Sequence, residues 1–135
     1  MPDNLFVDSN IWLYALMKDN SNKAKKANEV IKYSNIIIST QVINEICFNL
    51  RKKTDYIESE LQQLINNFFN RYNIIGFTKD LLISASELRT RYSFSFWDSL
   101  IVAAAFHGEC KILYSEDMQD EQVINNTLSI INPFK

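Results

Sequence analysis

Glycine occurs only twice in the 135 residues, and histidine once. Average glycine usage is about 7%. Two isolated glycines, Gly76 and Gly108, cannot build a GxGxxG turn or a GxxxxGK[ST] loop, so glycine-rich phosphate cradles are excluded. Any histidine-based zinc site or Ser-His-Asp triad would have to use His107. His107 directly precedes Gly108 and reads as the end of a helix, where partial positive charge is favoured. Two cysteines, Cys47 and Cys110, cannot form a four-cysteine metal site, and their scarcity predicts a reducing, cytoplasmic setting. The opening MPDNLFVDSN lacks the basic stretch and apolar run of an export signal. No run approaches the roughly 18 uncharged apolar residues of a membrane helix, so none is expected.

What is present is a core. Hydrophobic residues make up 47% and charged residues 22%, the composition of a globular chain. The length predicts one domain over residues 1–135. Leu5-Phe6-Val7, Ile36-Ile37-Ile38, Ile74-Ile75, Lys111 to Tyr114 and Leu128 to Ile131 are short apolar runs, continuous rather than alternating. Between them lie helical patterns over 11–17, 20–34, 41–53, 55–70, 79–91 and 95–107, with a short helical turn near 118–123. Strands alternating with helices predict a three-layer α/β/α sandwich around a parallel sheet of four or five strands. In such sheets ligands gather beyond the carboxyl ends of the strands.

Carboxylates stand at those ends. Asp8 follows Leu5-Phe6-Val7 directly, and Asp117 comes soon after Tyr114 with Glu116 beside it. Each also suits a helix N-cap, so either could be purely structural. Asp98 heads a very apolar helix, Phe96-Trp97-Asp98-Ser99-Leu100-Ile101-Val102-Ala103-Ala104-Ala105. A capping box with Ser95 would satisfy it. Otherwise a carboxylate on that face needs a compensating charge. Glu45 falls off the Val42/Ile46/Leu50 face of its helix, where a solvated Glu is the ordinary outcome, but Phe48 shares its side. Four converging carboxylates would repel one another unless a hard divalent cation lay among them. Mg²⁺ or Mn²⁺ needs neither His nor Cys, and Ser9, Asn10 and Ser115 add neutral oxygens nearby.

These segments together resemble the PIN-domain family. Phe6-Val7-Asp8-Ser9-Asn10 resembles its first acidic motif and Asn44-Glu45-Ile46 its second. Phe94 to Ala105 is similar to the third, and Leu113-Tyr114-Ser115-Glu116-Asp117-Met118-Gln119-Asp120 to the fourth. The likeness spans nearly the whole chain and, at this size, is strongest to VapC-type toxins of toxin–antitoxin pairs. It implies a metal-dependent ribonuclease with Asp8, Glu45, Asp98 and Asp117 as the metal-site carboxylates, supported by Ser115 and by Ser9 or Asn10, with Glu116 and Asp120 as secondary acids. It further implies water as the nucleophile, a 5′-phosphate product, a homodimer, and an antitoxin segment covering the acidic pocket. Glu121 departs from the pattern, since related sequences often carry Gly there; a changed loop turn is expected.

Charge bears on the same reading. Lys and Arg number 14 against 16 Asp and Glu, a net charge of −2 that by itself speaks against nucleic acid. Setting the four candidate carboxylates aside as metal-neutralised leaves 12 acids against 14 bases. The bases cluster: Lys18, Lys23, Lys25, Lys26 and Lys32, read as a solvated helix face, then Arg51, Lys52, Lys53, Arg89 and Arg91, which are candidates for RNA contact. Tyr92, Phe94 and Trp97 have the chemistry to stack bases, although Phe94 and Trp97 are expected in the core. Cys47 is also expected in the core. Two other classes stay open. A phosphoacceptor signalling domain would need an acid at the end of a central strand with a partnering Lys, yet the third strand ends Ile74-Ile75-Gly76-Phe77. A non-catalytic PIN-like module that only binds RNA or protein would be distinguished by failure to bind Mn²⁺.

Overall fold

The computed structural model describes every residue except Met1, Pro2, Lys18, Asn20 and Ser34. The expected helix ends at Asn20 and Ser34, and Lys18 in the basic run, lie outside the described residues.

The Leu5–Val7 run forms β1 (Asn4–Val7), its three apolar side chains all buried. Asp8 then takes an extended conformation and caps α1 (Ser9–Leu16). After α2 (Asn22–Val30), the β-branched run makes β2 (Ile36–Ser39), which is buried throughout. Ser39 Oγ accepts the Val42 N–H at 3.2 Å and starts α3 (Thr40–Lys53). Arg51, Lys52 and Lys53 fill the last turn of α3, where exposed carbonyls favour cations. A fresh helix, α4 (Glu58–Arg71), begins only after a break, later than the expected start at Asp55. Glu60 Oε1 accepts the Ile57 N–H at 3.0 Å and satisfies an otherwise orphaned donor at that start. Then follow β3 (Asn73–Ile75), α5 (Lys79–Arg91), α6 (Phe96–His107) and β4 (Cys110–Tyr114).

No helical turn forms at 118–123. The chain bends there and enters β5 (Val123–Ile124), which runs antiparallel to β6 (Leu128–Ile131). Asn125 and Asn126 both adopt positive φ, 48° and 62°, and the Thr127 N–H closes onto the Ile124 carbonyl at 3.0 Å. With Ile124 paired to Leu128, residues 125–127 connect the strands, and Asn is among the few residues that tolerate the left-handed conformation this turn needs twice. The Asn125-Asn126 pair was its sequence signal. The sheet therefore has six strands among the described residues, not four or five, in the order β3-β2-β1-β4-β6-β5, all parallel except β5.

Crossovers between parallel strands are right-handed. The chain steps one way from β1 to β2 to β3, then returns through α5 and α6 to β4 on the far side of β1. This places α1 to α4 over one face and α5 with α6 over the other. On the first face Trp12 packs edge-on against Phe68 at 5.2 Å and Tyr72 at 5.4 Å. The direction of winding reverses between β1 and β4, and their carboxyl ends flank the resulting crevice. Gly108 ends α6 and is required for space: a Cβ there would stand 2.8 Å from Ile37 Cγ2. The left-handed residue after the helix is Glu109, with φ of 55°.

Candidate metal-binding acidic site

The register of β1 and β4 builds the centre of the site. Val7 pairs with Tyr114, and the Asp8 N–H donates to the Tyr114 carbonyl at 3.0 Å, so Asp8 and Ser115 leave the sheet side by side. Ser115 is fully buried and donates its hydroxyl to Asp8 Oδ2 at 3.0 Å; the Ser9 N–H donates to Oδ1 at 2.7 Å. Asp8 is thus an N-cap, as its position allowed, but capping does not account for its surroundings. It is only 7% exposed, and both charged groups acting on it, Glu45 and Asp98, are negative. Burial raises its pKa from 3.8 to about 6. The two hydrogen bonds pull the other way, and the neighbouring carboxylates push it further up.

Glu45 comes from the second turn of α3 and is half-buried rather than solvated. Burial holds its carboxyl above the ordinary range, with Asp98 adding repulsion, against hydrogen bonds from Gln41 and Ser9. Asp98 lies in the first turn of α6. Half of the capping box forms there: Ser95 Oγ accepts the Asp98 N–H at 3.1 Å. The reciprocal bond from the Asp98 side chain, of the kind Glu60 makes in α4, is absent among the described hydrogen bonds. Asp117 is exposed, shares a cleft of about 190 Å³ with Asp98, and accepts a hydrogen bond from the Asn10 side-chain amide on α1.

Of the supporting acids, Glu116 is neutralised on the spot. Lys23 pairs with Oε2, and the Tyr14 hydroxyl donates to Oε1 at 2.8 Å. Burial raises its pKa, but these partners outweigh it and hold the carboxyl below its usual value. Lys23 is therefore pinned at the rim, not part of a freely solvated face; its ammonium also lies over the Tyr14 and Phe134 rings. Sequence marked Lys23 only as part of a solvated face and Tyr14 not at all, because each meets Glu116 across roughly a hundred residues. Asp120 accepts the Asn132 N–H at 2.7 Å and ties its loop to the chain after β6. Glu121 occupies a left-handed position with φ of 65°, the conformation glycine adopts without cost.

Gln41 is a further residue that sequence reading missed. It is buried at 9% exposure, and its Nε2 donates to the Trp97 carbonyl at 3.2 Å and, weakly, to Glu45 Oε2 at 3.4 Å. It thereby links the helix carrying Glu45 to the first turn of the helix carrying Asp98. Its Oε1 is buried with no hydrogen-bond partner among the described residues, which typically costs about 1–3 kcal/mol.

The candidate RNA-contacting cations divide. Arg51 bonds Glu58 and the Tyr56 carbonyl, Arg89 bonds Ser99 Oγ at 2.6 Å, and Arg91 bonds Asn125 Oδ1 at 2.6 Å. Lys52 and Lys53 are exposed at the end of α3. Trp97 is 62% exposed and does not enter the core; Phe94 packs against it, and Cys47 is half-buried. Helix α6 is buried all round from Ser99 to Ala105, and Trp97 is exposed because it stands in the first turn, ahead of that buried stretch, on the same side as Ile101 and Ala104.

Among the described residues no three His, Cys, Asp or Glu side chains close into a ready-made ligating cluster. The donor chemistry nonetheless fits a hard divalent cation. All the groups are oxygens, and Asp8, Glu45 and Asp98 act on one another only by repulsion, which a cation would reverse.

The sequence profile described as PIN domain matches residues 5–123. Among solved structures, a toxin–antitoxin complex from Klebsiella pneumoniae is similar, at 20% identity and a TM-score of 0.71, with 96% of this chain and 97% of that one covered. VapC20 of Mycobacterium tuberculosis, described as a Sarcin-Ricin loop cleaving toxin, is similar at 18% identity and a TM-score of 0.66, over 84% and 90%. VapBC2 from Rickettsia felis, bound to a DNA fragment from its promoter, is similar at 22% identity and a TM-score of 0.65, over 95% and 98%. At such identities the likeness speaks to the fold. A search of curated proteins returned no match.

Proposed function

This chain belongs to the PIN-domain family, and on that footing we propose that it is a metal-dependent endoribonuclease, the toxin of a VapBC-type toxin–antitoxin pair. The observation that carries the reading is the buried Asp8, held by Ser9 and Ser115 and facing only the negative charges of Glu45 and Asp98. Asp8, Glu45, Asp98 and Asp117 would hold one or two Mg²⁺ or Mn²⁺ ions. Such ions supply a water of lowered pKa and neutralise charge developing on phosphoryl oxygens.

The chain's own residues set the stage for that chemistry. Ser115 and the Ser9 amide fix the orientation of Asp8, leaving its remaining lone pairs for a cation. Asn10 holds Asp117, and Gln41 restrains Glu45. Lys23 and Tyr14 occupy Glu116, so that acid adds little net charge to the pocket. Because water is the nucleophile in this reading, no side chain forms a covalent bond to RNA, and a 5′-phosphate remains. The same reading carries a homodimer in the cytoplasm and an antitoxin polypeptide that covers the acidic pocket. Among the described residues no helix is long and apolar enough to cross a membrane.

The test is RNA cleavage by the purified chain, abolished by EDTA and restored by Mn²⁺. Asp8→Asn and Asp98→Asn should each lower the rate at least about 100-fold, the scale of losing an electrostatic contact in the transition state. Full activity in either variant would refute the assignment. A second reading, a PIN-like module that binds RNA or protein without cutting, draws on the absence of a closed ligating cluster among the described residues. Calorimetric titration with Mn²⁺ separates the two, since the binding-only module takes up no metal at these carboxylates.

A further inference from the structure

Lys23 stands in the first turn of α2, two residues after the capping Ser21. A cation there opposes the helix dipole, and no acid in that turn offsets it. Helix stability therefore does not explain its place, but its partner does. Lys23 Nζ pairs with Glu116 Oε2, and the Tyr14 hydroxyl donates to Glu116 Oε1 at 2.8 Å, so both carboxylate oxygens are taken. The cation is itself held, 5.3 Å from the centre of the Tyr14 ring and 5.5 Å from that of Phe134. Those two rings pack edge-on at 5.3 Å. Phe134 is fixed in turn: its N–H donates to Asn132 Oδ1 at 2.9 Å, and the Asn132 N–H donates to Asp120 Oδ1 at 2.7 Å. Side chains from α1, α2 and the chain after β6 thus gather around one carboxylate.

That carboxylate stands between two residues of the acidic site. Ser115 before it bonds Asp8, and Asp117 after it shares a cleft with Asp98. Asn10 and Tyr14 lie four residues apart on one face of α1 and take the two successive acids, Asn10 holding Asp117 and Tyr14 holding Glu116. The two acids are treated differently. Asn10 is neutral and leaves Asp117 its charge, whereas Lys23 cancels that of Glu116. We propose that Lys23 and Tyr14 form a clamp that withholds Glu116 from the metal site, so that four carboxylates rather than five face the cations. The inference rests on the metal-dependent reading, and it reverses the part of secondary acid that family resemblance gives Glu116. Affinity for a hard cation follows the count of charged ligands. Asp8, Glu45, Asp98 and Asp117 together match the charge of two divalent ions, and a fifth free carboxylate would bind them in excess. Lys23 is in this sense a positioning residue, acting on the metals only through Glu116.

Calorimetric titration of the whole chain with Mn²⁺, in the absence of RNA, tests the clamp. Lys23→Met releases Glu116 and should tighten Mn²⁺ binding roughly tenfold, the scale of one added negative charge beside a partly solvated cation. Tyr14→Phe frees a single oxygen and should act in the same direction by about twofold. Lys23→Met combined with Glu116→Gln removes both charges and should return the affinity to within about twofold of the unmodified chain, because the two residues are coupled. Lys23→Arg keeps the charge and should leave Mn²⁺ binding where it was. Unchanged or weaker binding in Lys23→Met overturns the proposal. So does a tightening that persists in the double variant, which would make the lysine charge itself, and not Glu116, the cause. Mn²⁺ binding indifferent to Lys23, alongside RNA cleavage that EDTA abolishes, removes the clamp and spares the nuclease. The expected Mn²⁺ pattern in a chain that cuts no RNA does the reverse. An unmodified chain that takes up no Mn²⁺ overturns both.

Discussion

Ser115 donates its hydroxyl to Asp8 across 107 positions of chain, at 3.0 Å, and both residues are buried. The bond exists because β1 and β4 lie in parallel register with Val7 opposite Tyr114. Replacing Ser115 by Ala removes a donor to a carboxylate, an interaction worth about 1.5–3 kcal/mol. Urea denaturation of Ser115→Ala at pH 7 should show a loss of that order, shrinking as pH falls through about 6 and Asp8 takes up its proton. Mn²⁺ affinity should fall as well. Unchanged stability at pH 7 would show that the bond contributes nothing.

Asp8 also sets a pH dependence. Its folded pKa, about 6, lies above the ordinary 3.8, so the folded state binds a proton more tightly than the unfolded chain does. Stability from this group is fully present below 3.8 and is lost as pH rises through about 6. The whole span corresponds to on the order of 3 kcal/mol. Glu45 is shifted in the same direction by the same cause and adds to the trend. Metal-free protein should therefore lose stability between pH 4 and 7, and Asp8→Asn should flatten that profile. Mn²⁺ should restore stability above pH 7, where the carboxylates are charged. Denaturation midpoints measured with and without EDTA check each part; a metal-free profile that rises over this window contradicts the assignment.

Gln41 separates stability from function. Gln41→Met removes the orphaned Oε1 along with the bonds from Nε2 to Trp97 and Glu45. The relief and the loss are of similar size, so the melting temperature should change by no more than a few degrees, in line with roughly 1 kcal/mol. Mn²⁺ binding and cleavage should both weaken, because Glu45 is no longer restrained. Intact metal affinity in this variant would mean that Gln41 serves packing alone.

Two backbone positions make opposite predictions. Glu121→Gly relieves a left-handed residue and should stabilise by about 1 kcal/mol. Gly108→Ala drives a methyl group against Ile37 and should cost about 1–3 kcal/mol. Thermal denaturation measures both, and neither change should alter metal binding, since neither residue belongs to the acidic site.

Local pattern was enough for the parallel α/β fold, and it singled out carboxylates at the ends of strands. Short continuous apolar runs such as Leu5-Phe6-Val7 and the β-branched Ile36-Ile37-Ile38 read as strands covered on both faces, and Asp8 and Asp117 follow strands in the sequence itself. The hairpin at Asn125-Asn126 was legible in principle, but the mostly polar stretch before it, Met118 to Val123, reads equally as a helical turn until β6 is there to pair with. Tertiary structure alone decided the rest. Burial of Asp8 against Glu45 and Asp98, the capture of Glu116 by Lys23 and Tyr14, the bridge from Gln41 to Trp97, and the exposure of Trp97 all join residues far apart in the chain. Periodicity reports which side of a helix is apolar. It carries no information about what another element, folded in from a hundred residues away, will set against the other side.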